Sequence, residues 1–207
     1  MPRTDLKVPF PKKDEAKKLG AKWDAEKKVW YVPDGLAIEP FALWIPIDTQ
    51  KTTVRAKNYY IAEAQRACWK CAKLTHIYCI FLPTGYESLD FFDDDNGNEV
   101  EQWQSSNEPS SLSYVLALPE HAKEAFNALT PKCFMDRGGL EHPYWMNHCE
   151  HCQAKLGDHF TVEEMDTPFN PQTIEGAKTV TLHFIDKRFE GNGSPYETNT
   201  SMTYFNI

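Results

Sequence analysis

Two matched pairs of cysteines are the residues of this sequence best suited to chemistry. Cys68 and Cys71 stand as C-x-x-C, and so do Cys149 and Cys152. A two-residue gap on a tight turn aims both thiolates at one point, and two such turns complete a tetrahedral set around Zn2+ at about 2.3 Å. The 77 residues between Cys71 and Cys149 exceed the usual compact spacing. Loop closure costs only roughly 0.6 kcal/mol more per doubling of length, however, whereas zinc held by small peptides is worth about 10–16 kcal/mol. One zinc bridging both pairs is therefore expected; a redox C-x-x-C or ordinary buried cysteines are the alternatives. His148 and His151 flank the second pair and could replace one thiolate, while Cys79 and Cys133 read as packed thiols.

Catalytic arrangements are imitated rather than met. Four cysteines fill a zinc shell, whereas hydrolytic zinc keeps a position for water. His148-Cys149-Glu150 mimics the H-x-E of zinc deaminases, but the element order is reversed and Ala67 stands where their proline belongs. Gly138-Gly139, Asn147, the second cysteine pair and Lys155 echo zinc-stapled HNH nucleases, yet Pro131–Arg137 ahead of them holds no histidine to activate water. No phosphate-binding loop, H-E-x-x-H, G-x-S-x-G or dinucleotide fingerprint occurs. In the DDDNGN run, a calcium loop with Gly97 at its sixth position would need carboxylates at Phe92 and Trp103, so an acidic Asn-Gly turn is expected. Asp158-His159 reads as an exposed turn.

The elements that must position the cysteines can be sketched. Tyr59–Ala67 (YYIAEAQRA) is compatible with a helix running into the first pair, and His76–Leu82 (HIYCIFL) is a buried strand leaving it. Leu89–Phe92, Leu112–Leu118 and Thr179–Ile185 are further strand candidates, and Pro119 opens a helix over Glu120–Leu129. Thr49–Arg55 is a polar joint, and residues 190–203, rich in Gly, Asn, Ser and Thr, read as a loop or loosely held tail. Toward the N-terminus, Lys7–Phe10 and Val29–Val32 are strand-like. Asp14–Leu19 forms a short helix stopped at Gly20, and a second helix covers Leu36–Leu43.

The segment 7–46, KVPFPKKDEAKKLGAKWDAEKKVWYVPDGLAIEPFALWIP, carries a recognisable pattern: Val8-Pro9-Phe10, Lys13–Lys17, Leu19–Asp24, Trp30–Pro33 and Pro40-Phe41 with Trp44. It resembles a small domain of unknown function appended to plasmid-transfer DNA primases and other mobile-element proteins. The resemblance implies association with DNA-handling proteins and carries no catalytic residues. Residues 67–158, with Ala67–Cys71 before an aliphatic strand and Tyr144–Cys149, Cys152 and Gly157-Asp158 beyond, resemble uncharacterised bacterial proteins with a split zinc knuckle. Trp23, Trp30, Phe41 and Trp44 are expected to pack together as a small core.

Charge divides the 207 residues unevenly. Residues 1–30 carry nine Lys/Arg and five acids, a local +4 against the chain's −8, leaving −12 for the rest. Nine acids and no Lys or Arg lie between Lys73 and Lys123. Solvated faces explain such runs in many proteins. Where they do bind, a basic head suits phosphates and an acidic stretch suits a basic protein. No apolar run spans a membrane and the start shows no secretory signal, so a cytoplasmic protein with reduced or metal-bound thiols is expected.

The expected fold is α+β: a basic β-α-β-α module over residues 1–48 and an acidic mixed α/β domain over residues 55–207 around a zinc-ribbon-like knuckle of four cysteines. The expected function is a non-catalytic, zinc-stabilised binding protein contacting DNA or a DNA-handling complex through Lys12, Lys13, Lys17, Lys18 and Lys22. The alternative is an inhibitor or immunity-type factor that meets a basic toxin or enzyme through Asp93, Asp94, Asp95, Glu99 and Glu101.

Overall fold

The computed structural model describes residues 3–37, 39–44, 51–93, 97–138, 142–196, 200–205 and 207. The chain divides into two compact units, Met1–Asp48 and Thr49–Ile207. In the first, β1 (Thr4–Leu6), α1 (Lys13–Lys18), β2 (Lys22–Asp24) and β3 (Val29–Val32) form a three-stranded antiparallel sheet, order β1-β3-β2, with one short helix. The helix ends as the glycine predicts. Gly20, at φ +104°, lets Ala21 N–H reach Ala16 O at 3.0 Å and its own N–H reach Lys17 O at 3.1 Å. That pair of bonds is a Schellman stop. Leu6, Ala16, Ala21, Val32, Phe41 and Trp44 make the core.

Three expectations for this unit need correction. The strand expected over Lys7–Phe10 lies earlier, at Thr4–Leu6, and Phe10 opens a 3-10 turn instead, since Pro9 and Pro11 remove the N–H groups a strand ladder needs. The helix over Leu36–Leu43 is replaced by a 3-10 run, Glu39–Trp44. Pro40 has no N–H to return to Leu36, so a regular helix across that stretch loses a bond that the later, tighter run does not need. The aromatic residues do not all pack inward either. Phe41 and Trp44 are buried and Trp30 half-buried, but Trp23 is 51% exposed.

The second unit contains β4 (Val54–Ala56), β5 (Tyr59–Ala67), β6 (Leu74–Leu82), β7 (Glu87–Asp93), β8 (Glu99–Ser105), β9 (Ser110–Ala117), α2 (Glu120–Leu129), β10 (Cys133–Asp136), β11 (Tyr144–His148), β12 (Lys155–Leu156), α3 (Ile174–Ala177), β13 (Thr181–Ile185) and β14 (Phe189–Tyr196). Eight of the strands form one antiparallel sheet in the order β13-β5-β6-β9-β14-β4-β7-β8, and β10-β11-β12 form a second. The whole is mixed, with a large antiparallel sheet and few helices. No helix among the described residues is long and apolar enough to cross a membrane.

The large sheet has a core on each face, which explains the unbroken apolar run of β6. Tyr78, Ile80 and Leu82 join Tyr59, Ile61 and the α2 residues Ala122 and Phe126 on one side. Ile77, Cys79 and Phe81 join Ala62, Ala64, Phe169 and the cysteine knuckles on the other.

Three segments depart from the sequence expectation for a common reason, since cross-strand partners outweigh local propensity. Tyr59–Ala67, rich in helix formers, is a strand whose residues from Tyr60 to Ala67 pair with Phe81 to Leu74. Its small Ala62 and Ala64 face one core while Tyr59 and Ile61 face the other. The polar joint continues into β4, where Val54 is fully buried. The supposed tail contains β14, which lies between β9 and β4. Gly191 is needed there, because a Cβ would stand 2.8 Å from Ala117 O.

Candidate metal centre

The first cysteine pair sits at the turn between β5 and β6, the second between β11 and β12. Both turns have the same backbone. In the first, Cys68 N–H bonds Lys73 O at 2.9 Å and Ala72 N–H bonds Cys68 O at 2.9 Å. In the second, Cys149 N–H bonds Ala154 O at 2.9 Å and Gln153 N–H bonds Cys149 O at 3.0 Å. The residue after each pair takes the left-handed conformation, φ 59° at Ala72 and 60° at Gln153. Each turn therefore curls its two thiols to the same side.

The two turns face each other, and all four sulfurs lie within 4.8 Å of one another. The Cys68–Cys152 and Cys71–Cys149 sulfurs are each 3.7 Å apart. Sulfurs held about 2.3 Å from a central ion in a tetrahedron are about 3.8 Å apart. The donor set fits Zn2+ in both number and spacing and leaves no open position for water. Cys149 and Cys68 are buried, Cys71 and Cys152 half-buried.

Backbone N–H groups point at both thiols of the second pair. Burial works to raise the Cys149 thiol, but the backbone N–H groups of Cys152 and His151 and the neighbouring thiols outweigh it and bring it down to about 6. The Ala154 N–H lowers Cys152, yet burial and its three cysteine neighbours push it up to about 12. Four thiolates cannot share this space without a cation to compensate them.

Polar contacts clamp one knuckle to the other. Glu150 N–H donates to Thr75 Oγ1 at 3.0 Å, and the Glu150 carboxylate accepts His76 N–H at 3.1 Å. Burial opposes the charge on Glu150, but the His76 N–H and ring hold it below the usual carboxylate range. Trp69 Nε1–H donates to Lys155 O at 2.9 Å. The buried Asn147 amide accepts Tyr78 N–H and donates to Tyr78 O, both at 2.8 Å. β9 pairs only with Ile80–Leu82, so Asn147 stands in for a strand along the uncovered half of β6. Sequence reasoning met Asn147 and Glu150 only as parts of imitated catalytic motifs and so missed their clamping role, and it missed Thr75 altogether.

Neither flanking histidine replaces a thiolate. His151 Nε2 bonds Leu74 O at 2.8 Å. His148 lies flat on Phe134, ring centroids 3.9 Å apart, with Nδ1 3.0 Å from Met146 O and Nε2 3.0 Å from Asp136 Oδ2. That contact, with Lys155, lowers the Asp136 carboxyl to about 2. Cys79 and Cys133 are buried away from the cluster, and burial pushes both thiols up.

Asp158 is not on an exposed turn. It is buried, accepts Tyr114 N–H at 2.7 Å, and borders a cavity of about 20 Å³ lined also by Cys79, Cys133, Phe126 and Trp145, with room for one water. Burial pushes its carboxyl up to about 7 against the pull of the Tyr114 N–H.

The charged candidates are dispersed. Lys13 and Lys17 share a side of α1, and Lys13 Nζ stands 4.2 Å from the Phe10 ring centroid. Lys12 is paired with Glu15 at 2.6 Å. Lys22, level with Tyr31 across β2–β3, points to the sheet face opposite Trp23. Among the described residues Lys13, Lys17, Lys18 and Lys22 have no carboxylate partner. Of the acids, Asp93 and Glu99 face each other across β7–β8 and Glu101 is ion-paired with Lys51, while Asp94 and Asp95 lie outside the described residues, as does Asn96 of the expected turn.

Residues 3–46 match a domain of unknown function, DUF5710. Over 42 residues the chain is 55% and 52% identical to two proteins named DNA primase TraC from Escherichia coli. The aligned stretch covers 20% of this chain but only 4% and 3% of those primases. The family match falls inside the first unit. No solved structure matches the chain.

Proposed function

We propose that this chain is a zinc-stapled, non-catalytic binding protein whose first unit contacts DNA or a DNA-handling complex in the cytoplasm. The observation that carries the DNA reading is the likeness of a net-positive 42-residue stretch to a segment of DNA primases. Four lysines without carboxylate partners give that unit charge to spend on phosphates, and each phosphate neutralised releases counterions. The zinc is structural in this reading, because its four sulfurs leave no coordination position for a substrate.

The test is binding of the zinc-loaded full chain to labelled DNA, followed by anisotropy at low and moderate salt. Exchanging Lys12, Lys13, Lys17, Lys18 and Lys22 for Gln should abolish a salt-sensitive interaction. DNA binding unchanged by that exchange, or absent at low salt where screening is least, removes the reading.

The hairpin β7–β8 supports a second role. Phe91 and Phe92 point to opposite faces, yet both are exposed, as is Val100, and β8 is the last strand of the sheet. Exposed apolar rings among Asp90, Asp93 and Glu99 suit a basic protein surface. Exchanging Asp93, Asp94 and Asp95 for Asn would then weaken partner binding, whereas the lysine exchange would not.

A further inference from the structure

Small domains bury their large rings, because burying an exposed Phe is worth about 1.5–3 kcal/mol. The first unit leaves two aromatic rings outside. Phe10 is 78% exposed and Trp23 51% exposed, while Phe41 and Trp44 fill the core. Neither outer ring hangs on a loose segment. Phe10 stands between Pro9 and Pro11 at the start of a 3-10 turn closed by Lys12 N–H to Pro9 O at 2.8 Å. Trp23 lies in β2 directly across from Trp30, whose ring supports it at 5.6 Å between centroids. The hairpin beyond it is fixed by Asp24, which accepts the N–H groups of Glu26 and Lys27 and pairs with Arg3 at 2.7 Å.

Cationic groups accompany the rings. Lys13 Nζ covers one side of Phe10. Lys27 and Lys28, both exposed, form the tip of the Trp23 hairpin. A preordered ring beside a mobile ammonium matches one repeating ligand, an unpaired base joined to a phosphate. Duplex DNA cannot use the rings, because its base faces are covered by their neighbours in the stack.

We propose that the first unit binds single-stranded DNA, stacking unpaired bases on Phe10 and Trp23 and drawing phosphates with Lys13, Lys17, Lys27 and Lys28. This rests on the DNA-contact reading above and specifies its ligand. Recognition of this kind is tolerant of sequence, since every base has a π face.

The experiment uses the zinc-loaded full chain with a fluorescent oligothymidylate and a duplex of equal length, titrated at several salt concentrations. Single strand should bind more tightly than duplex. Phe10→Ala and Trp23→Ala should each weaken it about 5- to 150-fold while leaving the salt slope unchanged. Trp23→Phe, which keeps a π face, should retain most of the binding and so separates stacking from misfolding. Exchanging Lys13, Lys17, Lys27 and Lys28 for Gln should instead flatten the slope, by about 0.7 per lost phosphate contact. Equal binding of strand and duplex with no effect of the ring substitutions overturns the stacking proposal and leaves phosphate contact standing. Binding of neither overturns both.

Discussion

Replacing Cys149 by Ser tests whether the four sulfurs hold a metal that the fold depends on. A complete structural zinc site is worth about 10–16 kcal/mol, so even a proportional loss of one ligand in four removes about 2.5–4 kcal/mol. Domain stability as a whole is about 5–15 kcal/mol. At about 2–4 °C per kcal/mol for a domain of this size, Tm should fall by about 5–16 °C, more if the remaining three thiols release the ion. The loss should also be cooperative, because Cys149 is buried and its partner sulfur on Cys71 is 3.7 Å away on the other knuckle. The assay is elemental analysis of zinc per chain with thermal melts followed by near-ultraviolet circular dichroism. Cys79→Ser is the matched control: it alters a buried thiol outside the cluster and should keep the metal. A Cys149→Ser protein with one zinc per chain and a Tm within about 2 °C of the parent would refute the reasoning.

Other substitutions probe the frame around the centre. Asn147→Ala leaves Tyr78 N–H and O without their partner, so denaturant melts should show a loss of about 2–4 kcal/mol with the zinc still bound. Ala72→Gly and Gln153→Gly relieve left-handed backbone at φ 59° and 60°, and each should raise stability by about 0.5–1 kcal/mol. Asp158 has its carboxyl raised to about 7 against about 3.9 in an unfolded chain. The folded state therefore holds a proton that the unfolded state has released, and stability from this group falls between about pH 4 and pH 7. That fall is about 4 kcal/mol, on the scale of about 1.4 kcal/mol per pH unit. Asp158→Asn keeps an acceptor for Tyr114 N–H, so it should match the parent near pH 4 and exceed it at pH 8; equal melts at both would contradict a buried, charge-penalised carboxyl.

The cysteine pairs were legible because metal chemistry constrains residue type and spacing together, and no other arrangement of these residues competes for the same positions. The sheet was legible where one segment is apolar on both faces, as in His76–Leu82, or where a proline marks a boundary, as before α2. It was not legible in Tyr59–Ala67, whose Ala, Glu, Gln and Arg content favours a helix until eight cross-strand partners are supplied. Asp158 was hidden for a similar reason. Nothing beside it announces burial, which comes from Tyr114 and Tyr144, distant in sequence. The outward placement of Phe10 and Trp23 was equally invisible, since aromatic residues in a small module ordinarily make its core.

The strand order has a consequence for how the second unit can come into being. β14 joins β13-β5-β6-β9 on one side to β4-β7-β8 on the other, and it follows all of them in sequence. During synthesis the ribosome delivers β4, β7 and β8 early, but their link to the remaining strands emerges only with Phe189–Tyr196. Until then a partial sheet has two open edges where the finished one has continuous pairing, and those edges are sites for association between nascent chains. A metal ion can be captured before that moment, because all four cysteines precede β14 by at least the residues from Gln153 to Arg188. The metal would then hold β5–β6 and β11–β12 together while the sheet awaits its final strand.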